Sequence, residues 1–327
     1  MNVFKDIPGL EEELGRVADR AREMTKDALL RQPLSEIVDS VFTAPGKLLR
    51  PALLLLFGRF GPDCASSGER LCSAGAVVEL THMASLIHDD IVDDAPFRRG
   101  RPTVQSAYGK DMAVYAGDYL LSRVLDCLMR PDMAQAGQVL SRGISDMCSG
   151  ELGQHAARFD VQTDENRYFM NISGKTAALF SASCEMGALI SGGTRYTVSA
   201  ASRFGHSLGV LFQLRDDLTD CLPESVEAGK KRGMDFINGI YTLPVIYSFA
   251  DSEYGAKLRE LAASAAAMEP EAVFGALYEY ITKAGGVDYT RWIMKQYRER
   301  ALNSMTQLPN LELKPQLASV LDLLLDC

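Results

Sequence analysis

Four aspartates close one apolar stretch of this 327-residue chain, and three close another. The first stretch, residues 80–97, reads LTHMASLIHDDIVDDAPF and carries Asp89, Asp90, Asp93 and Asp94. On a helix Asp89 and Asp93 share one face at i, i+4, while Asp90 and Asp94 share a face about 100° away. Aspartate is a poor helix former, and like charges at this spacing cost about 0.2–0.5 kcal/mol per pair. A divalent cation reverses that sign, because Mg²⁺ takes carboxylate oxygens and completes its shell with water and phosphate. The run Arg98-Arg99-Gly100-Arg101-Pro102-Thr103 follows at once. Carboxylates for metal, with arginines nearby for phosphate, make a diphosphate site. The second stretch, residues 204–220, reads FGHSLGVLFQLRDDLTD and repeats the D-D-x-x-D spacing in Asp216, Asp217 and Asp220. Here Asp216 and Asp220 share a face. One such motif alone reads equally well as a solvated acidic helix end. Two of them, far apart in the chain, are much more specific, because two apolar helices ending this way can hold metal ions between them.

The elements that must position these acids are helical. No proline occurs between Pro131 and Pro223, and no clear period-two alternation replaces it. Leu179, Ala182 and Met186, and later Leu317, Val320, Leu321 and Leu324, recur at intervals of three and four, the helical period. Ser66-x-x-Glu69 before an apolar run predicts a capping box. Met268-Glu269-Pro270-Glu271 predicts a helix start with proline in the first turn, and Gly285-Gly286 the stop of that helix. Loop signals cluster at 58–68, 94–102, 192–194 and 222–239. With no internal repeat and no low-complexity linker, the chain reads as one all-α domain over residues 1–327, with roughly ten or more helices.

Composition narrows the function classes. Hydrophobic residues at 47% and charged residues at 24% exclude a disordered or collagen-like chain. A net charge of −9 argues against a nucleic-acid binder, which needs a basic face. The seven cysteines show no C-x-x-C pair, as expected of free thiols in a reducing compartment. The acidic amino terminus is unlike a signal peptide. No apolar run approaches the ~18 residues of a membrane span. The expectation is a cytoplasmic protein.

Two aspartate-rich motifs, Gly46-Lys47-Leu48-Leu49-Arg50-Pro51 and the RRGRPT run together resemble the trans-polyprenyl diphosphate synthase family. The match continues through Gly117-Asp118, Gly150-Glu151-Leu152-Gly153-Gln154, Lys175-Thr176-Ala177, Phe212-Gln213 and Gly229-Lys230 to Gly239-Ile240-Tyr241-Thr242-Leu243-Pro244. The resemblance implies an all-α isoprenoid synthase fold, a homodimer or, as in some relatives, a heteromer with a second subunit, and two acidic helix ends facing across a deep cavity. It implies that Asp89 and Asp93 bind Mg²⁺ ions holding the allylic diphosphate and that Asp216 and Asp220 bind a further ion, three ions per site with substrate present. Lys47, Arg50, His82 and Arg99 then look like isopentenyl diphosphate ligands. Arg98, Lys175, Thr176, Gln213 and Lys230 look like ligands of the allylic diphosphate. Taken alone, Lys47 and Arg50 read as surface charges, His82 as a core histidine and Thr176 as a helix-cap hydroxyl.

In the mechanism the resemblance implies, the allylic diphosphate ionises, the homoallylic double bond attacks the cation and a proton is lost. Magnesium neutralises the departing diphosphate. No nucleophilic triad is evident. Two departures from the family pattern are the absence of the frequent lysine at Ile240 and of a basic tail after Leu323-Leu324-Leu325-Asp326-Cys327. A class I terpene cyclase would have no use for Lys47, Arg50 and His82. A metal-dependent HD phosphohydrolase, suggested by His88-Asp89, needs several histidines, and the chain has four. A non-catalytic subunit of a heteromeric synthase would have decayed acidic motifs, whereas both are intact. The remaining alternative is a farnesyl or geranylgeranyl synthase. Against it, Ser85 and Ala84, four and five positions before Asp89, are small where shorter-chain relatives commonly carry an aromatic floor. These two are the expected chain-length residues, and the expected product is longer than geranylgeranyl. A deeper floor at Tyr115 or Tyr119 would shorten it.

Overall fold

The computed structural model describes residues 7–26, 31–43, 46–223, 232–309 and 312–325. Sixteen α-helices form among the described residues, as the all-α reading expects. One segment read as loop carries more than loop: β1 (Phe97–Arg98) and β2 (Arg101–Pro102) form a two-stranded antiparallel ladder with Arg98 opposite Arg101. Its turn residues Arg99 and Gly100 have φ of 50° and 76°, as a primed hairpin turn demands. Gly100 adopts this freely. Arg99 holds a left-handed conformation that costs an L residue about 1–2 kcal/mol.

The chain divides into two compact units. The first comprises Met1–Ser141, Ala182–Ser202 and Leu308–Leu313. It contains α1 (Leu10–Met24), α2 (Leu34–Val41), α3 (Leu49–Gly58), α4 (Gly68–Val92), α5 (Val104–Tyr108), α6 (Lys110–Leu128) and the start of α7 (Ala134–Ala156). Helix α4 packs on α1, α3 and α6. Every residue from Leu71 to Thr81 is buried; beyond that only Ala84, Ile87 and Asp90 are. An element apolar all round is buried all round. As α4 leaves the core it becomes amphipathic, and its acids fall on the emerging end. The capping box expected at Ser66 and Glu69 does not form. A 3₁₀ turn over Ala65–Ser67 delays the helix to Gly68, with no side-chain cap. The Ser66 hydroxyl donates to the Asp63 carbonyl instead, and Glu69 pairs with Arg20 at 2.7 Å.

The second unit comprises Arg142–Ser181, Arg203–Gln307 and Lys314–Cys327. It takes the rest of α7, then α8 (Glu165–Ile172), a π-helical turn (Ser173–Ala177) and the start of α9 (Ala178–Ile190). Most of α10 (Arg195–Cys221) follows, with α11 (Met234–Ile237), α12 (Leu243–Phe249), α13 (Tyr254–Ser264), α14 (Pro270–Lys283), α15 (Gly286–Met305) and nearly all of α16 (Leu313–Leu323). Helix α12 is buried along most of its length and packs on α8, α13, α14 and α15. The punctuation of α14 is as read: Pro270 opens it and Gly285, at φ 79°, follows its end. Leu317, Val320, Leu321 and Leu324 are buried, as their spacing predicts. No described helix is long and apolar enough to cross a membrane.

Candidate active site

In the first unit the acidic motif straddles the end of α4. Asp89 is half-buried in the last turn and Asp93 is exposed at the C-cap, its N–H donating to the Asp89 carbonyl at 2.9 Å. Asp90 points the other way. It is only 6% exposed and accepts from Arg98 Nε at 2.8 Å. Burial pushes its carboxyl up from the ordinary range, and the Arg98 guanidinium opposes that. Asp94 pairs with Lys110 at 2.9 Å. The loop that follows is tied to itself: the Ala95 carbonyl accepts from Thr103 Oγ1 and Gln105 Nε2 at 2.7 and 2.8 Å. The arginine hairpin is thus fastened to the helix end that carries the acids. Arg98, read as a diphosphate ligand, spends its Nε on Asp90, which leaves the two terminal nitrogens of the guanidinium fork for other work.

A second group lies further back along α4. Arg50, in the first turn of α3, donates from Nη1 to His82 Nε2 at 3.2 Å. An arginine nitrogen only donates, so Nε2 accepts and the imidazole proton sits on Nδ1. Burial, then Arg50, Arg99 and Arg98, lower the His82 pKa to about 2. The histidine is therefore a neutral acceptor among cations, and Arg50, His82, Arg98 and Arg99 share one neighbourhood. Lys47 is exposed just before Leu48, whose left-handed φ of 48° opens α3. Glu79 joins this group and was missed by the sequence reading. It is 8% exposed, and burial raises its pKa against Arg50 and Arg99. Its signal was an acid three positions before His82 in an otherwise apolar run. His88 is placed by Gly117: a Cβ there would stand 2.2 Å from His88 Nε2. That explains Gly117 by packing.

The two expected chain-length residues differ in exposure. Ala84 has no accessible surface, whereas Ser85 is half-buried and donates to the His82 carbonyl at 2.9 Å. The accessible face of α4 runs through His82, Ser85 and Asp89. Of the proposed deeper floors, Tyr119 has its hydroxyl on the Thr25 carbonyl at 2.9 Å and Tyr115 is 59% exposed.

In the second unit Lys175 and Thr176 sit in the π-helical turn between α8 and α9. Such turns are rare inside helices and recur at functional sites. The Gly150-Glu151-Leu152-Gly153-Gln154 segment of α7 supports this one. A Cβ on Gly150 would stand 2.2 Å from the Lys175 amide nitrogen, and one on Gly153 2.2 Å from Asn171 Oδ1. Glycine at 150 lets the two backbones meet, and glycine at 153 makes room for the Asn171 side chain. Glu151 Oε2 and Gln154 Oε1 then take Lys175 Nζ at 3.0 and 2.8 Å. Thr176 is no helix cap: it donates from Oγ1 to Gln213 Oε1 at 2.5 Å.

The second acidic motif ends α10. Asp216 is exposed, Asp220 is half-buried and accepts the Asp235 N–H at 3.4 Å, and Asp217 is only 5% exposed. Asp217 accepts from the Tyr168 hydroxyl at 2.5 Å and from Gln213 Nε2 at 2.7 Å. Burial first, then Asp235, push its pKa up to about 7, against those two hydrogen bonds. Neither Tyr168 nor Asp217 was singled out in the sequence as a site residue. Lys230 and Gly229 lie outside the described residues. Ile240 is half-buried and donates its N–H to the Asp235 carbonyl at 2.8 Å.

Among the described residues no three His, Cys, Asp or Glu side chains gather into a ready metal cage. Each helix end nonetheless offers hard carboxylate oxygens where the helix dipole is already negative. That suits a small divalent cation that keeps water and phosphate oxygens in its shell.

Residues 31–281 match the family described as Polyprenyl synthetase. The chain belongs to that family, prenyltransferases with the all-α isoprenoid synthase fold. It is 34% identical to the heptaprenyl diphosphate synthase component 2 of Geobacillus stearothermophilus, over 93% of this chain and 90% of that one. Among solved structures it resembles a decaprenyl diphosphate synthase from Rhodobacter capsulatus, with TM-score 0.87, 30% identity and 97% of both chains covered. It also resembles a polyprenyl synthase from Caulobacter crescentus CB15 complexed with calcium and isoprenyl diphosphate, with TM-score 0.88, 26% identity, and 100% of this chain and 97% of that one covered.

Proposed function

We propose that this chain is a single synthase domain over residues 1–327 that joins isopentenyl diphosphate to an allylic primer, farnesyl or geranylgeranyl diphosphate. It repeats the step to a long trans-polyprenyl diphosphate. The observation that carries the reading is the matched pair of helix ends. In each, the second aspartate is turned inward and held, while the first and third keep access to solvent. Asp89 and Asp93, with Asp216 and Asp220, are the residues that hold Mg²⁺, three ions with substrate present. When bound, the metal neutralises the departing diphosphate and lowers the barrier to breaking the allylic C–O bond. Arg98, Lys175, Thr176, Gln213 and Lys230 bind and orient the allylic diphosphate. Lys47, Arg50, His82 and Arg99 bind isopentenyl diphosphate, with Glu79 balancing charge behind Arg50 and Arg99. A neutral His82 orients the Arg50 fork without adding a titrating charge. The chain supplies alignment and electrostatics rather than a covalent partner.

The growing product follows the face of α4 behind Asp89, past Ser85. Incubation with isopentenyl diphosphate, farnesyl diphosphate and Mg²⁺, followed by chromatography, tests the reading. Products longer than geranylgeranyl, hexaprenyl to octaprenyl, are expected. A wild-type enzyme that stops at farnesyl or geranylgeranyl overturns the long-chain reading. A cytoplasmic homodimer belongs to the same proposal. The name "component 2" of one relative favours a second reading of assembly, a catalytic subunit that needs a different partner chain. Full activity of the purified chain, with dimer mass in light scattering, decides for the homodimer.

A further inference from the structure

We infer that Tyr168 is a positioning residue for the allylic subsite, acting through Asp217 and Gln213 on Thr176; this rests on the reading above and deepens it. Four side chains form one unbranched relay within the second unit. The Tyr168 hydroxyl donates to Asp217 Oδ2, Gln213 Nε2 donates to Asp217 Oδ1, and Thr176 Oγ1 donates to Gln213 Oε1, at 2.5, 2.7 and 2.5 Å. The order of donors is dictated by chemistry. With Asp217 ionised, its carboxylate accepts at both oxygens, so the amide of Gln213 turns its nitrogen to Asp217 and its oxygen to Thr176. Only one face of Gln213 is then available to Thr176, and the threonine hydroxyl has one place to send its proton.

The anchor of the relay is the residue furthest from substrate. Tyr168 is 5% exposed and stands on the short helix α8. Asp164 caps that helix, accepting the Arg167 N–H at 2.8 Å. The ring of Tyr168 meets Phe169 edge-on, and Phe169 stacks on Tyr297. The same α8 runs straight into the π-helical turn that presents Lys175 and Thr176. Tyr168 therefore holds Asp217 from the helix whose continuation carries Thr176, so the hydroxyl closes a loop of contacts from α8 to α10 and back to the turn. An apolar ring at position 168 would fill the same space and leave α8 in place. It would release Asp217 from one of its two donors and let the Gln213 amide rotate.

The test is Tyr168→Phe, read by calorimetric binding of farnesyl diphosphate and of isopentenyl diphosphate, each with Mg²⁺, and by steady-state kinetics. Losing the donor is expected to weaken farnesyl diphosphate binding and raise its KM by about tenfold, the scale of one hydrogen bond to a charged group, with isopentenyl binding unchanged. Thr176→Ala should have a similar effect, and the double variant should be no worse than the weaker single, because both cut one relay. A farnesyl affinity equal to wild type in a folded Tyr168→Phe, an equal loss for both substrates, or strict additivity with Thr176→Ala would overturn the inference. If wild type binds farnesyl diphosphate but turns nothing over, the activity proposed above falls while the binding comparison still decides the role of Tyr168. Binding of neither diphosphate to wild type overturns both.

Discussion

The two acidic helix ends share a spacing and differ in what holds them. At the end of α4, buried Asp90 is paired with a cation, Arg98, whose side chain is 41% exposed. At the end of α10, buried Asp217 is held by two neutral donors from the interior, Tyr168 and Gln213. The first arrangement belongs to the surface: an exposed hairpin folds back and neutralises the acid. The second belongs to the core: an acid is kept among dipoles, and burial first, then Asp235, push its pKa up to about 7. Identical D-D-x-x-D strings therefore have one division of labour, with the second aspartate as anchor, and two ways of anchoring.

That division is broken most severely at the outward positions. Asp89→Ala and Asp216→Ala are each expected to cut turnover at least about a thousandfold, the equivalent of ~4 kcal/mol of transition-state stabilisation, with the circular dichroism and thermal midpoint of wild type. Near-normal turnover in either folded variant removes that helix end from the metal site.

The inward positions should cost stability, and unequally. Asp217→Ala leaves the Tyr168 hydroxyl and a Gln213 N–H buried without their acceptor, each worth about 1–3 kcal/mol. Asp90→Ala frees Arg98 to rehydrate and should cost about 1 kcal/mol or less. Urea denaturation of both variants checks the order. Equal losses would mean that the two anchors are energetically alike.

The two substrates offer a sharper division. Arg50→Ala should raise the isopentenyl KM about ten- to a hundredfold, since a charge-assisted phosphate contact is worth roughly 1.5–3 kcal/mol, and leave the farnesyl KM near wild type. Equal changes in both would misassign the α3 subsite. Ser85→Phe is expected to shorten the product while sparing the first condensation, because it narrows the accessible face of α4 one turn from Asp89. An unchanged product distribution would place the floor elsewhere. Ala84→Phe is a poorer probe, since a large side chain in a fully enclosed position overpacks the core.

The helical class, the punctuation of α14 and the accessible positions of the paired aspartates were legible because each rests on local spacing. Asp89 with Asp93, and Asp216 with Asp220, follow from i, i+4 geometry alone. Partners distant in sequence were not legible. Nothing in the residues around Tyr168 names Asp217, forty-nine positions on. Glu79 looks like a stray acid until Arg50 is beside it. The capping box failed for a related reason: Ser66 had a better local acceptor in Asp63, and Glu69 a long-range cation in Arg20. The small residues before Asp89 were read as one face, yet only three-dimensional packing separates enclosed Ala84 from accessible Ser85.

The smallest expected effect concerns His82 and contrasts the cation-rich group beside α3 with the acid held among dipoles on α10. The folded-state pKa of His82 is lowered from 6.5 to about 2, so the native protein refuses a proton that the unfolded chain accepts. Above pH 6.5 both states are neutral at this residue and it adds no pH dependence. Below pH 6.5 the unfolded state binds one more proton, and stability falls as pH falls. The slope is about 1.4 kcal/mol per pH unit while that single proton separates the states. His82→Gln retains an acceptor for Arg50 and removes the proton from the balance. Urea denaturation at pH 7 should therefore find the two proteins similar. At pH 5.5 the variant should be more stable relative to wild type by about 1.4 kcal/mol. A stability difference that does not change with pH would mean that His82 charges in the folded protein and is not the neutral acceptor the Arg50 contact requires.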